Sequence, residues 1–344
     1  MHIFFCLLSK KLLKNKLKMN DLSSITVVTN CSNRKKGTDY GRRKLGFYSS
    51  TRLSDRCSQW LEVLQEPLHT PIPARDLYAG DHWSVMKSVG GLVGDDAELQ
   101  LWVVSAGYGL ISENAMVAPY SCTFSSGQED SIHQGVITVS KDANLRQWWR
   151  ELQRWEGPEP GLPRSLETLV QNNPTTTLLV VLPQEYLKAI RSDLVRAREA
   201  IADPQRLLIV SVGTERVDGL REHLVPGDAR LQQLFATDTS SGRTTMVSLN
   251  AKIARKIIED RSSFPLELTT QCQRFAGWLT ELKPLPKFNR TPMTEEQVKQ
   301  FIRQEIVQNK QTSATQLLRK LRNSGRACEQ SRFRQTFKDV KEEE

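Results

Sequence analysis

No stretch of this chain approaches the ~18 consecutive apolar residues of a membrane-spanning helix, so no contact with a bilayer is expected. Cysteine is sparse and scattered: Cys6, Cys31, Cys57, Cys122, Cys272 and Cys328 form no C-x-x-C pair and have no histidine at metal-ligand spacing. A zinc site and a disulfide framework are therefore not expected, nor is any other cofactor, and a reducing cytoplasm is the expected location. A secretion signal is not expected either, because the apolar stretch Ile3 to Leu8 is short and its basic residues follow it rather than precede it. Residues 1–20 read as a disordered leader or an over-long start, with Met19 standing just ahead of the first apolar run.

The common catalytic signatures are also absent. There is no Walker loop, no G-x-G-x-x-G after a strand, no H-E-x-x-H and no G-x-S-x-G. Nucleotide hydrolysis, nicotinamide chemistry, zinc proteolysis and standard serine hydrolysis lose their support accordingly.

What the chain does have is positive charge. A net +9 and a pI near 9.3 point toward polyanionic partners. Its 344 residues exceed the size at which single cores stop growing, about 250, so two domains are expected.

Four continuous apolar runs, Ile25 to Thr29, Leu99 to Val104, Leu178 to Leu182 and Leu207 to Val212, have the pattern of strands covered on both faces. Helical patterns lie between them. Ser54 to Leu64 aligns Cys57, Trp60, Leu61 and Leu64, and Gln184 to Ile201 aligns Leu187, Ile190, Leu194 and Ala197. The alternation predicts an α/β domain over 21–282, with a mostly parallel sheet and flanking helices. Asn144 to Trp155 carries Trp148, Trp149 and Trp155, read as a buried face in preference to a base-stacking surface. Val247 to Ile258 reads as a helix capped by Ser248 or Asn250.

Ligands of such sheets sit beyond the carboxyl ends of the strands. The first run ends in Cys31-Ser32-Asn33 and then Arg34-Lys35-Lys36, a thiol, a hydroxyl and cations that suit an anionic group. The second ends in Ser105-Ala106-Gly107-Tyr108-Gly109, small residues that let a ligand approach the backbone, and the later runs end in Pro183-Gln184-Glu185-Tyr186 and Ser211-Val212-Gly213-Thr214. Turn preference alone also explains such endings, and the two readings stay open. Tyr78 and Tyr120 join the candidate ligand contacts. Asp76 and His82 are candidate acids or bases, or simply a cap and a solvated group. Cys31 is a candidate nucleophile, read first as a binding contact because no paired histidine is identifiable.

The succession of Cys31-Ser32 with basic residues, Leu77-Tyr78, Ser105 to Leu110 and Pro119-Tyr120 resembles a group of poorly characterised phage and bacterial domains. That group is similar to the uracil-DNA-glycosylase-like domain of archaeosine synthase, which works on a modified deazaguanine base. The resemblance covers roughly 24–258 and implies a base or nucleoside pocket built by Cys31, Ser32, Asp76, Tyr78, Ser105, Tyr108 and Tyr120. No aspartate or histidine matches a glycosylase's catalytic group, so the reaction stays open.

Residues 283–293, LKPLPKFNRTPM in context, read as a linker. Beyond it, 294–344 predicts three short helices resembling a helix-turn-helix: one capped by Thr294 with Gln297, one from Thr312 or Ser313, and one over Glu329 to Val340 after the stop Asn323-Ser324-Gly325. Arg319, Lys320, Arg322, Arg326, Arg332, Arg334 and Lys338 are its candidate phosphate contacts. The expected function is therefore base modification or removal on nucleic acid, DNA in the first instance, with the C-terminal helices holding the polymer and one base entering the α/β pocket. The alternatives are a non-catalytic DNA-binding component of an anti-phage defence system, working with other subunits, and an effector-binding regulator.

Overall fold

The computed structural model describes residues 23–343 apart from 38–39, 68–69, 138–139, 215–216, 236–244, 286–288 and 310. The leader expected over 1–20 lies outside them. The chain divides after Lys283 into two compact units.

In the first unit the four apolar runs become β1 (Ser23–Asn30), β2 (Ala97–Ser105), β4 (Thr177–Val181) and β5 (Leu207–Val210), with β3 (Gly109–Ser112) between them in sequence. The sheet order is β3-β2-β1-β4-β5. All pairings are parallel except β2 with β3. That antiparallel edge was not expected, because a four-residue strand is too short to show a period of its own. The central strands are buried along most of their length, as continuous apolar runs require.

Among the described residues, the α-helices of this unit longer than a single turn are α1 (Leu53–Gln65), α2 (Asp81–Ser88), α3 (Lys141–Arg154), α4 (Leu166–Asn172), α5 (Gln184–Ala200), α6 (Met246–Glu259) and α7 (Leu268–Glu281). Helix α1 packs on α3, both α3 and α4 pack on α5, and α2 packs on α6. Trp148 and Trp149 are core residues. Trp149 Nε1 donates to Asp193 of α5, whose buried carboxylate also accepts from the Leu166 and Glu167 N–H groups at the start of α4. One carboxylate thus joins three helices. Helix α6 is capped by Thr245 in a reciprocal pair with Ser248, one turn earlier than Ser248 or Asn250 would have placed the cap.

The turn after β2 is packed from every side. Trp148 Nε1 donates to the Ala106 carbonyl at 2.8 Å, Trp60 Nε1 to Gly107 at 2.8 Å, and Arg164 to Tyr108 at 2.6 Å. Ser105 Oγ accepts from the Gly107 and Tyr108 N–H groups. A Cβ at Gly107 would stand 2.5 Å from the Tyr120 ring, so the small residues here serve close packing.

The second unit holds α8 (Glu295–Gln308), α9 (Ala314–Asn323) and α10 (Gln330–Glu343) around Val298, Ile302, Leu321, Phe333 and Val340. Thr294 with Gln297 and Ser313 with Gln316 form capping boxes. Thr291–Pro292 pairs in parallel with Arg326–Ala327, and Met293 is buried, so the end of the expected linker belongs to this unit's core. It is a three-helix unit with a short strand pair.

All seven tryptophans precede residue 284, so tryptophan fluorescence reports the first unit alone. Gly107→Ala should destabilise that unit by about 1–3 kcal/mol in a urea melt, since the Tyr120 ring must move. Gly277→Ala, in open space on α7, should leave stability unchanged or raise it by up to about 1 kcal/mol. Equal effects at both positions would contradict the packing account.

Candidate functional site

The chain passes from β1 to β2 on one side and later to β4 on the other, so the strand order reverses beside β1. At the carboxyl edge of this switch point lies a cleft of about 490 Å³. The end of β1 contributes Asn30, Cys31, Ser32, Asn33 and Arg34. The start of α2 supplies Gly80, Asp81 and His82, the start of α5 supplies Gln184 and Tyr186, and Val212 and Asn250 complete the wall. A wider groove of about 710 Å³ near Gln205, His223 and Cys272 flanks the start of β5, at the opposite end of the strands. It gathers no comparable set of polar side chains from the strand ends.

Each wall residue has a local reason for its position. Cys31 N–H donates to the Val104 carbonyl at 3.0 Å, continuing the β1–β2 ladder by one rung. Ser32 Oγ accepts from the Ala79 N–H and donates to the Arg34 carbonyl at 2.6 Å, closing the loop against the start of α2. Asn250 Oδ1 accepts from the Val212 N–H at 2.8 Å and fixes α6 to the loop after β5. Asn30 Nδ2 donates to the Cys31 carbonyl at 2.8 Å, which assigns the amide orientation. Its Oδ1 is buried and, among the described residues, has no hydrogen-bond partner.

Two of the cleft's ionisable groups, His82 and Tyr186, are held neutral. His82 Nε2 lies 2.8 Å from Thr29 Oγ1, and the ring also bonds the backbone of Val247. Burial pushes its pKa down to about 4. Tyr186 OH lies 3.2 Å from Cys31 Sγ, and burial raises this phenol well above its usual value.

Behind Cys31 sits a fully buried hydroxyl chain. Ser105 Oγ is 2.7 Å from Tyr120 OH, which is 3.1 Å from Tyr78 OH, and burial raises both phenols strongly. The Lys35 ammonium donates to the Ser32 carbonyl and stands 4.1 Å from the Tyr120 ring centroid, its pKa lowered by burial.

The structure thus brings the two strand-end motifs together at one edge but gives them different places. Cys31, Ser32, Asn33 and His82 line the cleft. Tyr78, Ser105, Gly107, Tyr108 and Tyr120 lie in the core behind it, where they shape the loop that carries Cys31. Asp76 is paired with Lys87 at 2.5 Å and is not among the lining residues. Asn30 and Asp81 were missed because an asparagine closing a strand and an aspartate opening a helix are ordinary in sequence. Asn250 was read only as a cap.

In the second unit Arg319, Arg326 and Arg334 are exposed. Arg322 instead donates to the Cys328 carbonyl and Arg332 to the Met293 carbonyl at 2.8 Å, so both also hold the unit together. Lys320 is paired with Glu305, and Lys338 with Glu342. Among the described residues no cluster of His, Cys, Asp or Glu could hold a metal, and no helix is long and apolar enough to cross a membrane. Comparison of the chain with protein-family models, with curated proteins and with solved structures finds no match.

His82 makes the site's stability pH-dependent. The folded state keeps the ring neutral down to about pH 4, whereas the unfolded chain takes up the proton near pH 6.5, so stability falls with pH across that interval. Relative to His82→Gln, the native chain should lose about 1.4 kcal/mol per pH unit between pH 6 and pH 4, read by tryptophan fluorescence. Parallel pH profiles would show that His82 is not held neutral.

Proposed function

We propose that the switch-point cleft binds a nucleobase or nucleoside, and that the protein modifies or removes bases of a polynucleotide, DNA in the first instance, held by its cationic second unit. The observation that carries this reading is Asn30, which lines a cleft walled by amides, a hydroxyl and a thiol and whose buried Oδ1 has no hydrogen-bond partner among the described residues. A buried acceptor without a partner costs about 1–3 kcal/mol, and a ring N–H or exocyclic amine of a base would satisfy it. Neutral His82 and Tyr186 suit an uncharged heterocycle. The second unit offers Arg319, Arg326 and Arg334 to phosphates, whether or not its three helices act as a helix-turn-helix. The resemblance to the uracil-DNA-glycosylase-like domain of archaeosine synthase agrees in kind. If a base enters from a polymer, flipping it costs a few kcal/mol, and the second unit's contacts would offset that cost.

A second reading has its own support. Both identified bonds of the His82 ring are to groups of the fold, and Asp76 is engaged by Lys87, which leaves Cys31 as the remaining candidate for chemistry. This favours recognition of a base without turnover, as in a non-catalytic component of a defence or modification system with further subunits.

Incubation with single-stranded and duplex DNA and RNA, followed by mass analysis of released and altered bases, separates the two. Turnover supports the first reading, and its loss in Cys31→Ser would assign the thiol a chemical role. In either case Asn30→Ala should weaken nucleoside binding about tenfold, from the loss of one buried hydrogen bond. Unchanged binding would contradict the base site.

A further inference from the structure

We infer that the second unit carries a groove for a single strand of nucleic acid, formed between α8 and the turn Ser324–Arg326. This rests on the polynucleotide reading above and adds where, and in what form, the polymer is held. The groove measures about 630 Å³ and is lined by Gln297, Gln300, Phe301 and Gln304 of α8 and by Ser324 and Arg326 of the turn.

The amide lining is a property of α8 as a whole. At 100° per residue, positions 297, 300, 304 and 308 fall within about 80° of arc, and all four are exposed glutamines. A solvated helix face is ordinarily served by charged residues, yet this stripe has none. Each amide both donates and accepts, which matches the mixed donor and acceptor edges of bases rather than the acceptor-only phosphates. Gln297 Oε1 is used by the Thr294 N–H at 2.9 Å, which leaves its NH₂ group for a ligand. Arg326, exposed on the turn, supplies a cation for the backbone.

The shape selects the form of the polymer. In a duplex the base edges lie at the bottom of a groove that a protruding helix must enter, whereas α8 here lines a recess. Unpaired bases can turn their edges to the glutamines and a face toward the Phe301 ring.

The test uses the full chain, fluorescence anisotropy across a salt series, and a mixed-sequence 12-nucleotide DNA presented as a single strand and as its duplex. Gln300→Leu/Gln304→Leu should weaken single-strand binding about tenfold with its salt slope unchanged, because amides displace no counterions, and should leave duplex affinity as it was. Arg326→Gln should lower the single-strand slope by about 0.7. Circular dichroism verifies that both variants keep their helices. Unchanged single-strand affinity in the glutamine variant, or an equal loss on both probes, overturns the groove while the native chain's binding keeps the polynucleotide reading. Absence of native binding to either probe overturns both.

Discussion

The cleft depends on where the β1 ladder stops. Parallel pairing carries β1 in step with β2 as far as Asn30 opposite Val104, and the Cys31 N–H then makes one more bond to the Val104 carbonyl. Past that rung the backbone leaves the sheet through Ser32 and Asn33, and at Arg34 to Lys36 it pairs instead with Leu77 to Ala79. On the other side β4 has already ended at Val181, and α5 begins at Gln184. Two neighbouring strands that end together and diverge leave a crevice, and the polar ends of their loops become its walls.

Holding that edge open requires a rigid backing. The carbonyls of the turn after β2 are satisfied by Trp148, Trp60 and Arg164, and its hydroxyl is tied to Tyr120 and through it to Tyr78. Buried phenols linked in series stay protonated, so the network is neutral and adds no uncompensated charge beneath the cleft. Lys35, a cation beside this network, is accommodated by the Ser32 carbonyl and the face of Tyr120. Positioning and contact are thereby divided between two groups of residues: the tyrosines and tryptophans set the loop, and Asn30, Cys31, Ser32 and His82 face the opening.

Much of the frame was legible from residue patterns. Ile25 to Thr29 and Leu178 to Leu182 are apolar without alternation, which only a strand covered on both faces explains, and Thr294 with Gln297 marks a helix start by its hydrogen bonds alone. The cleft lies at the edge where the same reasoning placed the strand ends. What could not be read was which small or hydroxylic residue faces the opening and which faces inward. Ser105 and Ser32 look alike in sequence, and only the Tyr120 hydroxyl against one and the Ala79 N–H against the other distinguish them. Asn30 was invisible for a related reason, since the orphaned state of its Oδ1 depends on neighbours far along the chain. Likewise Arg332 carries the same charge as Arg334 but bonds Met293, a contact that helical spacing does not disclose.

The central claim is that the crevice beside β1 is the base-binding site of the α/β unit. Amide chemical shifts measured by NMR during titration with the four common nucleosides and a deazaguanine nucleoside test it most directly. The account predicts that at least one of them moves the backbone amides of 30–34, 80–82, 184–186 and 212 together with the Asn30 side-chain amide, while those of 105–109 respond weakly. Shifts confined to the groove near Gln205 and His223, or no saturable shift with any of the five, would contradict it.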